Sequence, residues 1–487
     1  MKPLVFMILT TIAGTAGALL VSPFLGVAVY YLFAVMRPPF LWWWVLPEGV
    51  RWSLFVAVAT ILAAVLVKAG LLRLPPPREG DGARGEGRFG RGHAAVLVFG
   101  LWVAVTALTA KRTDVSYPWL WEYAKIFAMF ACAAFLVRTL RQVWILFLIA
   151  TASLAYIAYE VNILYLADGR LDIYHDGFGG YDNNGAALVL AMGVPFCLYA
   201  WEGTARWWRW GFLVCIPPII HAVLMTYSRG AMVSLLAAAP ILYLRSRHKP
   251  WLTAGGLLLA FVIVPALAGK EQRERFLTMT EAEPDASARS RLGSWTAGLK
   301  MAVDHPVLGV GVRNADLFSY RYGADIRGRA IHSVYIQLAA DSGFVGLGLY
   351  LLAIVVCLRA AHGARRAVLG RTDDDARRVR AIASGCEGAM AVFCAGAAFL
   401  SLEVLELPYL VLLLAAQLGT LLTPAAAPPD RPTARDADGG EGGGPPGAPS
   451  EDLVVILDGP PVAPGVRATT WRPRETGPTA PSVAAER

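Results

Sequence analysis

The chain has 487 residues, of which 56% are apolar and only 16% are charged. Its mean hydropathy of +0.50 lies well above the balance of soluble domains, so composition predicts a membrane protein and excludes a soluble globular one. The formal net charge of +8 does not indicate a nucleic-acid partner. Lys and Arg fall mainly in short connections between apolar runs, as membrane topology requires.

Six cysteines lie in or beside apolar segments, without a CxxC motif or clustered histidines. This pattern predicts neither a disulfide framework nor a metal site, and the thiols are expected to pack as small apolar groups. They are Cys132, Cys197, Cys215, Cys357, Cys386 and Cys394.

Apolar runs of about 20 residues are long enough to cross a bilayer. Because lipid cannot hydrogen-bond the backbone, each run is expected to be a helix, and the predicted fold class is an all-α polytopic membrane protein. Twelve spans are predicted, at residues 4–36, 51–70, 93–110, 120–137, 142–162, 184–201, 211–227, 230–245, 251–268, 333–359, 386–404 and 408–423. The first run carries Ser22 and Pro23 in its middle and is long enough for two short helices, so thirteen spans are the alternative.

Basic segments alternate in step with these spans and predict the orientation of the chain. Those expected on the cytoplasmic side are 73–93, 138–141, 206–209, 245–249 and 359–380. The loops 111–119, 162–183 and 269–332 then face outward. The last of these is basic, but its 64 residues are enough for it to translocate despite its charge.

Composition divides the chain into a membrane domain, residues 1–423, and a Pro-, Gly- and Ala-rich segment, 424–487. Such a segment cannot bury enough apolar surface to fold, so a disordered cytoplasmic tail is predicted. The amino-terminal residues are expected to form an uncleaved first span, because the apolar run continues past the length of a signal peptide.

The motif YSRG at 227–230 places Arg229 in a tight outward turn between two spans. If Arg229 opens the next helix, its guanidinium and the helix N–H groups point at one place, which suits a phosphate. The alternative is that the side chain only snorkels to the membrane interface.

Within the large outward loop, Ser290 is expected to cap a short helix that begins at Arg291 and ends before Pro306. The helix would be amphipathic and lie on the membrane surface, with Arg291 at its positive end. Its predicted apolar face consists of Leu292, Trp295, Leu299 and Val303. The glycines of the following PVLGVGVRN are interpreted as turn formers.

The segment HSVYIQLAADSGFVGLGLY begins the tenth predicted span. Ser333, Gln337 and Asp341 recur every four residues and form one polar stripe, in which Asp341 is expected to have a partner, such as an arginine of the site. His332 precedes the helix where water and substrate can reach it, and a histidine can accept a hydroxyl proton. A purely structural role is the alternative for this histidine.

Asp182, Asn183 and Asn184 stand at the outward mouth of another span. Such residues either cap the helix or bind sugar hydroxyls. Glu403 and Glu406, near the outward side of the last hairpin, are candidates to pair with the arginines.

These segments resemble a known family. YSRG, the run from RLGSW to DHPVLGVGVRN, and HSVYIQLAADSGFVGLGLY are similar to the core of the bacterial O-antigen ligase and polymerase superfamily. YDNNGAALVLAMGVP resembles the exosortase-associated O-glycosylation ligase branch. The resemblance covers about residues 180–350, and the layout with one large outward loop before the tenth span is similar too.

The resemblance implies that Arg229 and Arg291 hold the diphosphate of a polyprenyl-diphosphate-linked glycan and that His332 is the catalytic base. It implies a multi-pass protein of the bacterial inner membrane, whose site faces the periplasm or cell exterior and needs no metal or cofactor. The donor, an acceptor bearing a hydroxyl and the lipid bilayer are the implied partners. Ser333 stands where the family often has Asn, and Asp341 where it usually has Glu, which leaves the acceptor open.

Three alternatives remain, of which a structural scaffold for envelope assembly is the third. A repeat-unit polymerase of the same superfamily would differ only in using another lipid-linked glycan as acceptor. A transporter or flippase for an anionic lipid-linked glycan would use the same arginines without a catalytic base.

Overall fold

The computed structural model describes residues 2–76, 89–166, 177–258 and 286–422. The named regular elements of this part of the chain are helices, and Phe178 and Tyr181 form an isolated bridge. In chain order the α-helices are α1 Lys2–Leu20, α2 Pro23–Met36, α3 Pro38–Leu41, α4 Trp52–Lys68, α5 Arg91–Leu108, α6 Thr113–Leu136, α7 Leu140–Leu166, α8 Asn183–Gly203, α9 Trp210–Val214, α10 Ile216–Met225, α11 Arg229–Arg245, α12 Lys249–Leu258, α13 Ala286–Asp304, α14 Asn314–Phe318, α15 Val334–Ala367, α16 Asp374–Gly396 and α17 Glu406–Leu422.

Nine helical segments in the described ranges are long and apolar enough to cross a membrane, and α4 and α17 are shorter apolar helices. The predicted all-α polytopic membrane fold is therefore confirmed. The first apolar run forms two helices, α1 and α2, as in the alternative count of thirteen spans. Pro23 has no N–H to donate to a carbonyl of α1, so it cannot continue that helix. Its fixed φ suits the first position of α2.

Several predicted segments lie partly or wholly outside the described residues. Of the span 251–268, only the part in α12 is described, and most of the basic linker 73–93 and the tail 424–487 lie outside the description. The span predicted at 386–404 is displaced. The corresponding helix, α16, starts at Asp374, where Asp373 accepts a hydrogen bond from the Ala376 N–H (3.2 Å), and ends at Gly396.

The helices run alternately between two ends of the bundle. At one end, here called the His332 end, the connecting segments contact one another. The Lys111 N–H donates to the Val310 carbonyl (3.1 Å), and Asn183 donates to the Thr226 carbonyl (3.1 Å). At the opposite end, Gln417 bonds the Val137 carbonyl. Helix α8 lies at the centre of the bundle, and 89% of the residues in its apolar stretch are buried. It packs against α7, α10, α11 and α16.

A kink in α15 shapes the His332 end. Gly343 has φ +71° and ψ 174°, which frees carbonyls of the preceding turn. The N–H groups of Val310 and Gly311 donate to the carbonyls of Ala340 (2.8 Å) and Asp341 (2.9 Å). The loop before them is thus docked into the break in the helix, and Gly309 and Gly311, both with positive φ, form its turns as predicted.

Candidate active site

His332 lies at the head of α15 with its backbone held on both sides. Its N–H donates to the Ser401 hydroxyl (3.0 Å), and its carbonyl accepts from the Trp295 indole N–H (3.4 Å). Its φ of +55° is uncommon for a residue other than glycine, although histidine is among those that tolerate it best. Ser333 follows as the helix cap and accepts from the Ile336 N–H (3.5 Å). The backbone of His332 is therefore fixed at the start of the helix.

The surroundings of His332 favour a neutral ring. Burial lowers the pKa of this half-buried imidazole, and the charges of Arg291 and Arg329 lower it further, while the carboxylate of Asp182 opposes them. A neutral imidazole has a lone pair free to accept a proton. Arg291 and Asp182, both predicted site residues, are thus within electrostatic reach of the predicted base.

The helix that carries Arg291 departs from the prediction at its start. It begins at Ala286, so Ser290 is not its cap, and Arg291 lies inside the helix rather than at its positive end. The helix ends before Pro306 as expected. Ser294, Ala297 and Met301 are buried where the helix packs on α15, whereas Leu292, Leu299 and Val303 are exposed. Arg291 reaches the site because it lies one turn before Trp295, which contacts His332.

The Asp182 to Asn184 segment connects the YSRG turn to the site. Asp182 caps α8 by accepting from the Gly185 N–H (2.8 Å), which confirms the capping interpretation. The Asn184 side-chain oxygen accepts from the Ser228 hydroxyl (2.8 Å). Ser228 in turn caps α11 by accepting from the Ala231 N–H (3.4 Å), and Arg229 opens that helix as an exposed residue.

Phe399 lies between the two arginine-bearing helices. Its ring centroid is 6.1 Å from that of Trp295 on α13, and a Cβ built on Gly230 of α11 would lie 3.7 Å from its Cβ. The structure thus places Arg291 and Asp182 within electrostatic reach of His332, and the Asn184–Ser228 contact connects the Asp182 segment to the helix that Arg229 opens.

Asp341 has a different partner from the one expected. Its buried carboxylate accepts from the backbone N–H groups of Arg313 (2.9 Å) and Ala315 (2.8 Å) and from the side chain of Gln337 (2.8 Å). An arginine, Arg313, is thus among the partners of Asp341, but it donates its backbone N–H rather than its guanidinium. Asp341 instead fixes the loop that starts α14, where a carboxylate stabilises the helix N-terminus.

Ser401 was not predicted, and it links His332 to the polar stripe of α15. Its hydroxyl accepts from the His332 N–H and donates to the Gln337 side-chain oxygen (3.3 Å). The Gln337 amide then donates to Asp341. Ser333, Gln337 and Asp341 of the predicted stripe are all buried and act as supports of the backbone around His332.

Arg313 organises a second cluster beside this network. Its guanidinium forms ion pairs with Glu403 (3.2 Å) and Asp316 (3.3 Å) and lies 4.3 Å from the centre of the Trp119 ring. The expectation that Glu403 pairs with an arginine is confirmed. Burial raises the pKa of Asp316 to about 6. Glu406 instead accepts from the Tyr30 hydroxyl (3.4 Å).

A comparison with known protein families gives a match to part of the chain. Residues 213–351 match the O-antigen ligase family. The O-antigen ligase match contains Arg229, Arg291 and His332, and it confirms the predicted superfamily; the exosortase-associated branch stays a prediction. No curated protein matches the sequence. Ser401 and Asp182 lie outside the matched residues, so the candidate site includes residues from beyond the matched segment. Among the described residues, no group of three or more His, Cys, Asp or Glu is placed to hold a metal ion.

Proposed function

We propose that the protein is a membrane glycosyltransferase of the O-antigen ligase type. It would transfer a glycan from a polyprenyl-diphosphate carrier to an acceptor hydroxyl on the outer side of the inner membrane. The observation that carries the proposal is His332, a half-buried imidazole with a lowered pKa beside Arg291 and Asp182. Asp182 belongs to the segment that binds the Arg229 turn.

His332 takes the proton from the acceptor hydroxyl, and the oxygen attacks the anomeric carbon of the donor sugar. The bond from that carbon to the diphosphate breaks, and the diphosphate leaves with the electron pair. Arg229 and Arg291 offer charge-assisted hydrogen bonds to the leaving group as its negative charge develops. One displacement of this kind inverts the anomeric configuration. The polyprenyl tail of the donor lies between spans in the bilayer.

The test is glycan transfer by the full-length protein in lipid vesicles, with a radiolabelled polyprenyl-diphosphate glycan and membrane extract as acceptor. His332→Ala is expected to lower transfer by about 10²- to 10⁴-fold, the range of a general base. His305→Ala is the matched control. His305 lies on the same outward loop, where it contacts Lys111 (2.6 Å), and its loss should leave transfer near wild type.

Near-normal transfer by His332→Ala would remove this residue from the mechanism. Movement of labelled glycan lipid across the vesicle membrane without any new glycosidic bond would favour the transporter instead.

A further inference from the structure

Four buried polar groups without a hydrogen-bond partner lie at the end of the bundle opposite His332. Trp201 and Thr204, at the carboxyl end of α8, are only 3% and 5% exposed. In the described ranges no residue bonds the Trp201 indole N–H, the Thr204 hydroxyl, or the Nε and Nη2 of Arg380. Buried polar groups are normally satisfied. All four can donate, so together they indicate a ligand that accepts hydrogen bonds.

The packing of α8 on α16 brings these groups to one place. A Cβ built on Gly203 would lie 2.7 Å from the Cβ of Ala381. Thr204 directly follows the first of these residues, and Arg380 directly precedes the second. The Thr204 N–H donates to the Trp201 carbonyl (3.4 Å), which keeps the indole-bearing residue in the same turn. The four groups are called the α8–α16 donor cluster below.

Arg380 contributes an unused edge of its guanidinium to the cluster. Its Nη1 donates to the carbonyls of Val368 (3.1 Å) and Arg371 (2.8 Å) and so holds the turn after α15. Nε and Nη2 form a second edge. On Arg371 the same two nitrogens bind both oxygens of Asp373 (3.0 and 2.9 Å). The second edge of Arg380 therefore has the geometry for a bidentate bond to a phosphate.

The charges around the cluster favour an anion. Arg247, on the connection between α11 and α12, is exposed and lies within electrostatic reach of Arg380. Two acids are close by. Glu202 precedes Gly203 and already accepts from the Arg247 N–H (3.1 Å), and Asp373 is paired with Arg371. The two guanidinium groups near the cluster therefore keep a positive charge that an anion can balance.

Tryptophans place this end of the bundle at the membrane interface. Trp207 and Trp210 follow α8, Trp251 lies in the first turn of α12, and all three are strongly exposed. Exposed tryptophans of membrane proteins are enriched at the level of the lipid headgroups. Trp210 contacts Trp201 of the cluster, with 5.7 Å between the ring centroids. The cluster therefore lies at the depth of lipid phosphates.

We propose that the α8–α16 donor cluster binds the phosphate of an anionic phospholipid in the leaflet opposite the candidate active site. Arg380 donates two hydrogen bonds to the phosphate oxygens, and Trp201 and Thr204 donate one each. Arg247 adds a charge that disfavours a zwitterionic headgroup, because such a headgroup carries a cation of its own. Basic pockets between membrane helices recognise headgroups in this way. The inference does not depend on the proposed glycan transfer.

The test is native mass spectrometry of the full-length protein released from nanodiscs of phosphatidylglycerol and phosphatidylcholine in equal amounts. The wild type should retain phosphatidylglycerol at least severalfold more than phosphatidylcholine. Thr204→Val and Trp201→Phe each remove one donor and keep most of the side-chain volume, and Arg380→Gln removes the bidentate edge. Each should lower retention of phosphatidylglycerol about tenfold, the effect of losing a hydrogen bond to a charged group.

Arg378→Gln is the matched control. Arg378 lies on the same turn of α16 and is also half-buried, but its guanidinium is paired with Asp375 (3.4 Å), so this variant should keep the lipid. Loss of the lipid in Arg378→Gln would overturn the proposal. Full retention in both Thr204→Val and Trp201→Phe would overturn it whatever Arg380→Gln does, because surface charge alone would then hold the lipid.

Competition identifies the source of the phosphate. Inorganic phosphate in large excess should not displace phosphatidylglycerol, because it has no acyl chains to hold it at the interface. Displacement would assign the cluster to a soluble anion and overturn the lipid assignment. Equal retention of phosphatidylglycerol and phosphatidylcholine by the wild type would show that a net negative headgroup is not required, and would overturn it as well.

Discussion

Four residues other than glycine adopt a left-handed backbone conformation in the described part of the chain: Arg37, Tyr227, Arg313 and His332. All four lie at the His332 end of the bundle. Tyr227 precedes the Arg229 turn, and Arg313 donates its N–H to Asp341. Backbone conformations of this kind cost free energy and persist where surrounding contacts impose them, which is typical of functional sites. The site is thus held in shape before any substrate arrives.

The charges around His332 predict how the pH dependence of transfer responds to mutation. A general base works only when neutral, so activity falls on the acid side as the imidazole becomes protonated. Asp182 is the neighbour that raises the pKa of His332, and Arg329 is one that lowers it. Asp182→Asn, which keeps a capping side chain, should shift the acid limb of kcat/KM to lower pH. Arg329→Gln should shift it to higher pH.

The measurement is kcat/KM for glycan transfer across the acid and neutral range. Arg327→Gln serves as the control, because Arg327 stacks on the Tyr320 ring (4.7 Å) on the same loop, and its profile should match the wild type. Shifts of both test variants in one direction would contradict the assignment of His332 as the titrating base.

The sequence predicted which residues belong to the candidate site better than it predicted which of them contact one another. Asp182 capping α8 and Arg229 opening α11 are local features with local signals. Ser401 lies 69 positions from His332 and 64 from Gln337 in the sequence. No short-range sequence pattern predicts contacts between residues so far apart. The way in which Asp341 is paired was not predictable for the same reason, because its carboxylate oxygens accept from the backbone N–H groups of Arg313 and Ala315, and every residue except proline has such a group.

At the scale of elements, hydropathy located the helices but misplaced ends that extend beyond the apolar run. The first turns of α16 contain Asp374, Asp375 and several arginines. The start of α13, predicted from Ser290 as a cap, also lies earlier, at Ala286. A helix can continue through a charged turn beyond the membrane core, whereas hydropathy places the helix end at the first polar residues. The helix α15 was predicted as a single span, and its kink depends on long-range docking of the loop before Val310.

The kink in α15 predicts sharply different effects for two glycines of one helix. Gly343 has a conformation that is essentially restricted to glycine, and a Cβ there would lie 2.1 Å from the Val307 carbonyl oxygen. Gly343→Ala should cost about 1 to 3 kcal/mol from backbone strain alone, with the clash in addition, and should lower transfer by displacing the loop around Asp341. Thermal unfolding in detergent and the transfer assay measure these effects.

Gly348→Ala is the matched control, because a Cβ at this position meets nothing within 4 Å. It should leave transfer unchanged and stabilise the protein slightly, since alanine is favoured over glycine within a helix by about 1 kcal/mol. A Gly343→Ala variant as stable and active as Gly348→Ala would show that the kink is not needed.

At the scale of the molecule, basic residues lie at both ends of the bundle but are distributed differently. The end opposite His332 presents basic residues in short connections, among them Arg138, Arg206, Arg247 and Arg371. Short basic loops are retained on the cytoplasmic side. At the His332 end, Arg37, Arg51 and Arg112 lie in short connections, and the other arginines lie in the long loop and around the candidate site. The proposed orientation therefore has His332 facing outward, where a polyprenyl-linked glycan would be presented.

Cysteine accessibility tests this orientation. Ile326, in the loop that leads to His332, is 54% exposed, and Thr372, between α15 and α16, is exposed as well, whereas the six native cysteines are buried or half-buried. With a membrane-impermeant maleimide, Ile326→Cys should be labelled in intact spheroplasts and Thr372→Cys only after permeabilisation. The unmodified protein sets the background. The reverse pattern would place His332 and its arginines on the cytoplasmic side, where the proposed transfer to an outward-facing acceptor has no substrate.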